Sequence, residues 1–145
     1  MNTAHTPVML EEVLQWLRIK GDGTYVDVTA GAAGHSEAIA EKLTSGRLIS
    51  LDRDARALEL ARERLKRFGP KVTLLQSRFS RIAEAVHELG IPKVDGVLAD
   101  LGVSSMQLDE AGRGFSFREA ARLDMRMDAV HDELTAEEIV NRWPE

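Results

Sequence analysis

YVDVTAGAAGHS, from Tyr25 to Ser36, is the stretch whose reading decides the fold. Tyr25–Thr29 has the short apolar run of a strand buried on both faces. It passes at once into Ala30-Gly31-Ala32-Ala33-Gly34, a loop of small residues. His35 or Ser36 then opens a helix that runs to about Leu43 and ends at Ser45-Gly46. A strand, a small-residue turn and a helix in that order form the first half of a βαβ unit.

The pattern repeats outward from there. Arg47–Leu51 reads as a second strand with Asp52 at its tip, and Ala55–Phe68 as a helix with Leu58, Ala61, Leu65 and Phe68 on one face. On its outer surface Glu63 and Arg67 are spaced to pair, and Gly69-Pro70 stops it. Val72–Leu75 makes a third strand. A helix beginning at Phe79-Ser80 turns Ile82, Val86 and Leu89 inward, and Val94–Ala99 is a fourth strand. An amphipathic helix over Val8–Leu17, with Val13, Leu14 and Leu17 on one face, precedes the whole array. Alternating strands and helices predict an α/β fold with a parallel sheet.

After Asp109 the character changes. Ala111–Asp132 is irregular and charged, and the segment following Asp100 is crowded with Arg, Phe, Asp and Met, as functional loops are. Thr135–Arg142 reads as a short helix capped by Thr135 with Glu138 three residues on. Residues 1–110 are thus expected to form a ligand-binding core. Residues 111–145 are expected to form an active-site loop and the start of a further element. The chain stops at Trp143-Pro144-Glu145 with no closing strand. That predicts a bare Val94–Ala99 edge, self-association through it, and a larger parent protein.

Composition narrows the functions. The 145 residues suit about one domain, with 43% apolar and 30% charged residues. A net charge of −5 argues against a general nucleic-acid footprint, so any RNA contact must be local, as at Arg113, Arg118, Arg122 and Arg126. With no cysteine, disulfides, thiol nucleophiles and cysteine-held metals are excluded. No metal-ligand spacing such as HExxH occurs. No secretory leader is visible and no apolar run nears the roughly 18 residues of a spanning helix. The expectation is a soluble, cytoplasmic protein without a membrane partner.

Asp27, the Ala30–Gly34 loop and Asp52 make one constellation. Asp52 follows Gly31 by 21 residues, the spacing at which an acidic residue meets a ribose diol beside such a loop. Nicotinamide dinucleotides and S-adenosylmethionine share that logic. Gly-x-x-Gly-His-Ser is not Gly-x-Gly-x-x-Gly, and Asp27 suits a cationic amino-acid end better than a diphosphate. Two structural readings stand beside these: Asp27 as the cap of the loop and Asp52 as the cap of the next helix. Phe79 is equally a core aromatic or a neighbour of an adenine, and His35 alone is more often a helix-opening polar residue than a catalyst.

Laid out together, the segments His5-x-Pro7-Val8-Met9-Leu10, VDVTAGAAGHS (Val26–Ser36), LDRDARAL (Leu51–Leu58), DGVLADLGVSSMQLD (Asp95–Asp109), RGFSF (Arg113–Phe117) and LDMRMD (Leu123–Asp128) resemble the bacterial 16S ribosomal RNA cytosine-N4 methyltransferase family. The resemblance covers nearly the whole chain. It implies a class I, Rossmann-like methyltransferase core with strand order 3-2-1-4, truncated before the remaining strands. It further implies S-adenosyl-L-methionine as cofactor, held by Ala33, Gly34 and His35, with Asp52 on the ribose, Phe79 beside adenine, and Asp100 and Gln107 at the methionine end. The chain departs from the family in its Gly-Ala-Ala-Gly loop, where members have more glycine, and in length, since members are about twice as long.

For such a reaction the cytosine amine must be desolvated, its N–H bonds accepted, and its nitrogen held in line with a methyl donor. Asp100 is the candidate acceptor, with the Leu101 and Gly102 carbonyls beside it. The target base must be unpaired or flipped out. Phe115 and Phe117 either stack on it or pack the loop, and Arg113, Arg118 and Arg126 are candidate phosphate contacts. Met125 and Met127 read as packing residues. Asp109, Asp124 and Asp128 read as ion-pair partners of the arginines. The implied partner is 16S ribosomal RNA, in the small ribosomal subunit. The competing expectations are a nicotinamide-dependent oxidoreductase and a fragment that binds cofactor without turnover.

Overall fold

The computed structural model describes residues 7–144, which divide into two compact units, one ending at Asp100 and one beginning at Leu101. In the first unit, α1 (Leu10–Leu17), β1 (Thr24–Asp27), α2 (Gly34–Lys42), β2 (Arg47–Asp52), α3 (Ala55–Leu65), β3 (Val72–Gln76), α4 (Ile82–Glu88) and β4 (Gly96–Leu98) follow one another. The four strands are all parallel and lie in the order β3-β2-β1-β4, the order expected.

The strand period sorts residues between the two faces of the sheet. Tyr25 and Leu48 point to one face, where they pack with Ile39, Ala40 and Leu43 of the α2 region and with Leu14 and Leu17 of α1. Ala61 and Leu65 of α3 pack with Leu74 and Val72 of β3 and with Ala33. Val26, Val28, Ile49 and Leu51 point to the opposite face, under Ala85, Ile82 and Val86 of α4. Central strands covered on both sides read as mostly apolar runs, which makes β1 and β2 plain in the sequence in spite of buried Asp27 and Ser50. Leu89, expected inward on α4, is exposed, and Ala85 fills the buried position.

Element boundaries differ locally from expectation. The α3 helix stops at Leu65, and a 3-10 segment, Lys66–Lys71, carries the chain over Gly69, whose φ is +56°. Phe79–Arg81 is a 3-10 turn before α4 rather than its first turn. Arg67 reaches from that segment to Glu37 and Glu41 of α2 instead of staying with Glu63 on its own helix. The β4 strand is confined to Gly96–Leu98, pairs with β1 alone, and leaves Val97 47% exposed.

In the second unit, α5 (Ser105–Asp109) and α6 (Ala136–Arg142) bracket an irregular segment. The first was not expected. It starts with a capping box in which Ser104 Oγ accepts from Gln107 N–H and Gln107 Oε1 accepts from Ser104 N–H. The cap expected at Thr135 is present in the same form, with Glu138 as its partner. Among the described residues no helix is long and apolar enough to cross a membrane.

Candidate functional site

Parallel sheets bind ligands outside the carboxyl ends of their strands, and the candidate residues of the first unit gather there. Asp27 ends β1, Asp52 ends β2, and Asp100 lies two residues beyond β4. The loop after β1 turns back at Gly31 and Ala33, both with positive φ (51° and 62°), before α2 begins at Gly34. Ala33 holds that conformation in spite of its Cβ and is fully buried against Ala61 and Leu65. A side chain at Gly34 would strike Pro7, its Cβ falling 2.3 Å from the proline Cγ. Thus the glycine lets the N-terminal segment close over the start of α2.

Asp52 is the joint between β2 and this loop. One carboxylate oxygen accepts from Gly31 N–H at 2.7 Å and the other from Asp54 N–H at 2.9 Å. Burial pushes its carboxyl above the ordinary value, against the pull of those two amides. It does not cap the next helix; Asp54 does, accepting from Arg56 N–H. The residue overlooked in the sequence was therefore Asp54, one of two carboxylates flanking Arg53.

Asp27 lies behind the strand-end surface and not on it. It is 1% exposed, and both oxygens are engaged: one accepts from Thr29 N–H (3.1 Å) and Thr29 Oγ1 (3.3 Å), the other from Ser36 Oγ (2.7 Å). Ser36 in turn shares a 2.8 Å hydrogen bond with Ser50 of β2. Burial, the largest influence, raises the Asp27 carboxyl above its ordinary value although these donors oppose it.

Asp100 has a half-exposed carboxylate, 53% accessible. Its backbone N–H donates to Thr29 Oγ1 at 2.8 Å. His35 is buried, with Nε2 2.9 Å from the Val8 carbonyl and Nδ1 3.9 Å from Asp100 Oδ2. A carbonyl only accepts, so Nε2 carries a hydrogen and Nδ1 is the atom turned toward Asp100. Phe79, in the turn after β3, is exposed and not packed in the core.

The donors left at this edge separate the two cofactor classes. Of the five loop amides from Ala30 to Gly34, three are spent: Ala30 on the Leu51 carbonyl, Gly31 on Asp52, and Ala33 on the Ala30 carbonyl. A diphosphate would meet few free N–H groups and the carboxylates of Asp52 and Asp100. A cationic ligand with a ribose diol matches the same set, because carboxylates accept from hydroxyls and attract positive charge. The residues present therefore fit S-adenosylmethionine and not a nicotinamide dinucleotide. A recess lined by Trp16, Leu17, Arg18, Lys20, Tyr25 and Asp95 opens at the opposite end of the sheet and holds none of these residues. Among the described residues no cluster of His, Asp or Glu could hold a metal.

In the second unit the two motifs RGFSF and LDMRMD close on each other. Arg113 Nη2 donates to the carbonyls of Arg126 (3.1 Å) and Met127 (2.9 Å), while the Arg113 carbonyl accepts from Met125 N–H. The guanidinium of Arg113 also lies over the Phe115 ring, 5.6 Å from its centre. Gly114 has φ +71°, and a Cβ there would come within 2.4 Å of the Arg122 carbonyl. Arg126 forms a two-pronged pair with Asp124 and donates to the Ala129 and Asp132 carbonyls. Asp124 plays the expected ion-pair role and its carboxyl is lowered by that arginine, whereas Asp128 pairs with His131. Arg122 pairs with Glu137 of α6. Of the candidate substrate contacts Phe115, Phe117 and Arg118, the exposed ones are Phe117 and Arg118; Gln107 is buried with its amide in the capping box.

Known proteins resemble this chain in sequence and in fold. Residues 2–145 match the MraW methylase family. The chain is 50% identical over 146 residues to ribosomal RNA small subunit methyltransferase H of Lachnospira eligens, covering 100% of this chain and 46% of that protein. It is 53% identical over 142 residues to the protein of the same name from Brevibacillus brevis, covering 97% of this chain and 45% of that one. The chain thus spans about half the length of the curated relatives it matches. In fold it resembles a putative rRNA methylase from Clostridium thermocellum, with a TM-score of 0.57, 17% identity and coverage of 75% of this chain and 61% of that one. The C-terminal domain of precorrin-6Y C5,15-methyltransferase from Rhodobacter capsulatus is similar to the same degree, with a TM-score of 0.56, 18% identity and coverage of 73% and 55%.

Proposed function

The chain belongs to the MraW methylase family, and from that premise we propose that it forms the S-adenosylmethionine-binding half of a cytoplasmic enzyme that methylates the N4 amine of a cytosine in 16S ribosomal RNA. The observation that carries the cofactor reading is the strand-end edge, where carboxylates stand at Asp52 and Asp100 while most loop amides are already spent. When bound, the cofactor supplies an electrophilic methyl group on a sulfonium.

This chain's residues bind and orient. Asp52 accepts from the ribose hydroxyls, and Ala33, Gly34 and His35 form the wall of the loop. Phe79, already exposed, stacks beside the adenine. Asp100 accepts an N–H of the cytosine amine, which raises electron density on that nitrogen, and takes the proton released once the N–C bond has formed. Asp27 supports Asp100 from within the sheet. Phe117 is the aromatic available for stacking on an unpaired base and Arg118 the exposed cation for phosphate. Arg113, Phe115 and Arg126 shape the loop that presents them. Residues 1–110 act as the cofactor core and 111–145 as the active-site loop and the entry to a substrate-recognition element.

A second reading, binding without turnover, is favoured by one observation: β4 pairs on one side only and leaves Val97 open to solvent. Calorimetric titration with S-adenosylhomocysteine, with Asp52→Ala and with NAD as controls, tests the cofactor. Saturable binding lost in Asp52→Ala and absent for NAD is expected; binding of NAD instead, or no binding by the folded chain, would overturn the reading. Methyl transfer to small-subunit particles then separates the two: turnover supports the enzyme and its absence the second reading.

A further inference from the structure

The last main-chain bond between β1 and β4 runs from Val28 N–H to the Leu98 carbonyl, 2.9 Å. Two residues later, at Asp100, β4 has left the ladder. Its N–H is received by a side chain, Thr29 Oγ1, at 2.8 Å. The same hydroxyl donates to Asp27 Oδ1 at 3.3 Å. Asp27 is held from the other side by Ser36, and Ser36 by Ser50. A continuous polar chain therefore runs from β2 through α2 and β1 to the one half-exposed carboxylate at the tip of β4.

We infer that Thr29 is a positioning residue for Asp100. Like Ser36, its hydroxyl must accept and donate at once, and it alone in that chain touches Asp100: it accepts from the Asp100 amide and donates to a buried carboxylate that can only accept while ionised. A β-branched side chain has few rotamers, so the hydroxyl is aimed by the backbone just past β1 and fixes where the chain turns beyond β4. An error of about 1 Å in the placement of a reacting group lowers a rate by roughly a hundredfold. Valine at this position has the same shape and neither hydrogen bond; serine keeps both.

The inference rests on the reading of Asp100 as the active-site carboxylate, and its test has two arms that separate the two ideas. Amide hydrogen exchange by NMR on this chain compares wild type, Thr29→Val and Thr29→Ser. The Asp100 amide is expected to lose at least tenfold of its protection in Thr29→Val and to keep it in Thr29→Ser, with Val26 and Ile49 unchanged as markers of an intact sheet. The second arm titrates S-adenosylhomocysteine against a cycle of Thr29→Val, Asp100→Ala and the double variant. Thr29→Val is expected to weaken binding about tenfold with Asp100 present and less than twofold without it. Unchanged Asp100 protection in Thr29→Val, equal behaviour of valine and serine, or equal losses in both halves of the cycle would overturn the inference. Failure of wild type to bind in the second arm overturns the cofactor reading alone, and the exchange arm still decides Thr29.

Discussion

Asp27→Asn tests the energetics of the buried chain most directly. The native carboxylate accepts three hydrogen bonds, two on one oxygen from Thr29 and one on the other from Ser36. Asparagine keeps the oxygen facing Thr29 and places an NH2 where Ser36 donated. Ser36 can accept that NH2 and turn its own hydrogen toward Ser50, since either serine can donate across their 2.8 Å contact. The one donor displaced is the Ser50 hydroxyl, which had given its hydrogen to Ser36, and the cost of burying a charge disappears. Burial outweighs the donors at Asp27, so its folded carboxyl titrates above its ordinary value of 3.8. Between those two values the folded protein holds a proton that the unfolded chain has released, and stability falls as pH rises, by up to about 1.4 kcal/mol per pH unit. The stabilising protonated form is fully present below the lower value.

Urea unfolding followed by circular dichroism from pH 4 to pH 8 measures this. Asp27→Asn is expected to be more stable than wild type at pH 7 and to have a flatter profile above pH 4. The residual slope should come from Asp52, which is raised for the same reason. Asp27→Ala strips the acceptor from both Thr29 donors and is expected to lose about 2–5 kcal/mol. An Asp27→Asn variant less stable than wild type at pH 7, with the slope unchanged, would refute the reasoning and mean that the donors outweigh desolvation.

Three further outcomes follow from packing and charge. Gly46→Ala would set a Cβ 2.2 Å from the Gly23 carbonyl oxygen and 2.9 Å from the Asp22 carbonyl carbon, so a loss of about 3 kcal/mol or more is expected in thermal unfolding. Ile39, fully buried against Tyr25 and Leu48, should cost about 2–5 kcal/mol when cut to alanine, measured by the same denaturation. Arg126→Lys keeps the charge but loses the two-pronged pair with Asp124 and the reach to two carbonyls. Limited proteolysis should then cut the 113–132 segment several-fold faster, and an unchanged rate would remove Arg126 as the staple of that loop.

The open side of β4 gives one more expectation. Sedimentation of this chain should show concentration-dependent self-association, and Val97→Lys, a charge on the bare face, should suppress it. A concentration-independent monomer would remove the edge as an interface.

The sequence alone determined the parallel α/β core, its order of elements and the acidic strand tips. Strands such as Leu48–Leu51 are buried on both faces and are apolar but for the hydrogen-bonded Ser50, and helices such as α3 must repeat their apolar residues every three or four positions. Both constraints are local and survive in a one-dimensional pattern. The Thr135 cap was legible for the same reason, and the matching signal Ser104-x-x-Gln107 was there to be read at α5. Only the tertiary structure decided the division of labour among the polar residues. Asp27 and Asp52 look alike along the chain, yet one is enclosed between α2 and the sheet while the other joins a strand tip to a loop. Arg113 and Arg126 look like phosphate contacts until backbone carbonyls thirteen or more residues from Arg113 claim its donors, and Asp124 claims those of Arg126. Hydrophobic burial is imposed on each residue by its own element, whereas a hydrogen bond needs a partner that folding brings from elsewhere.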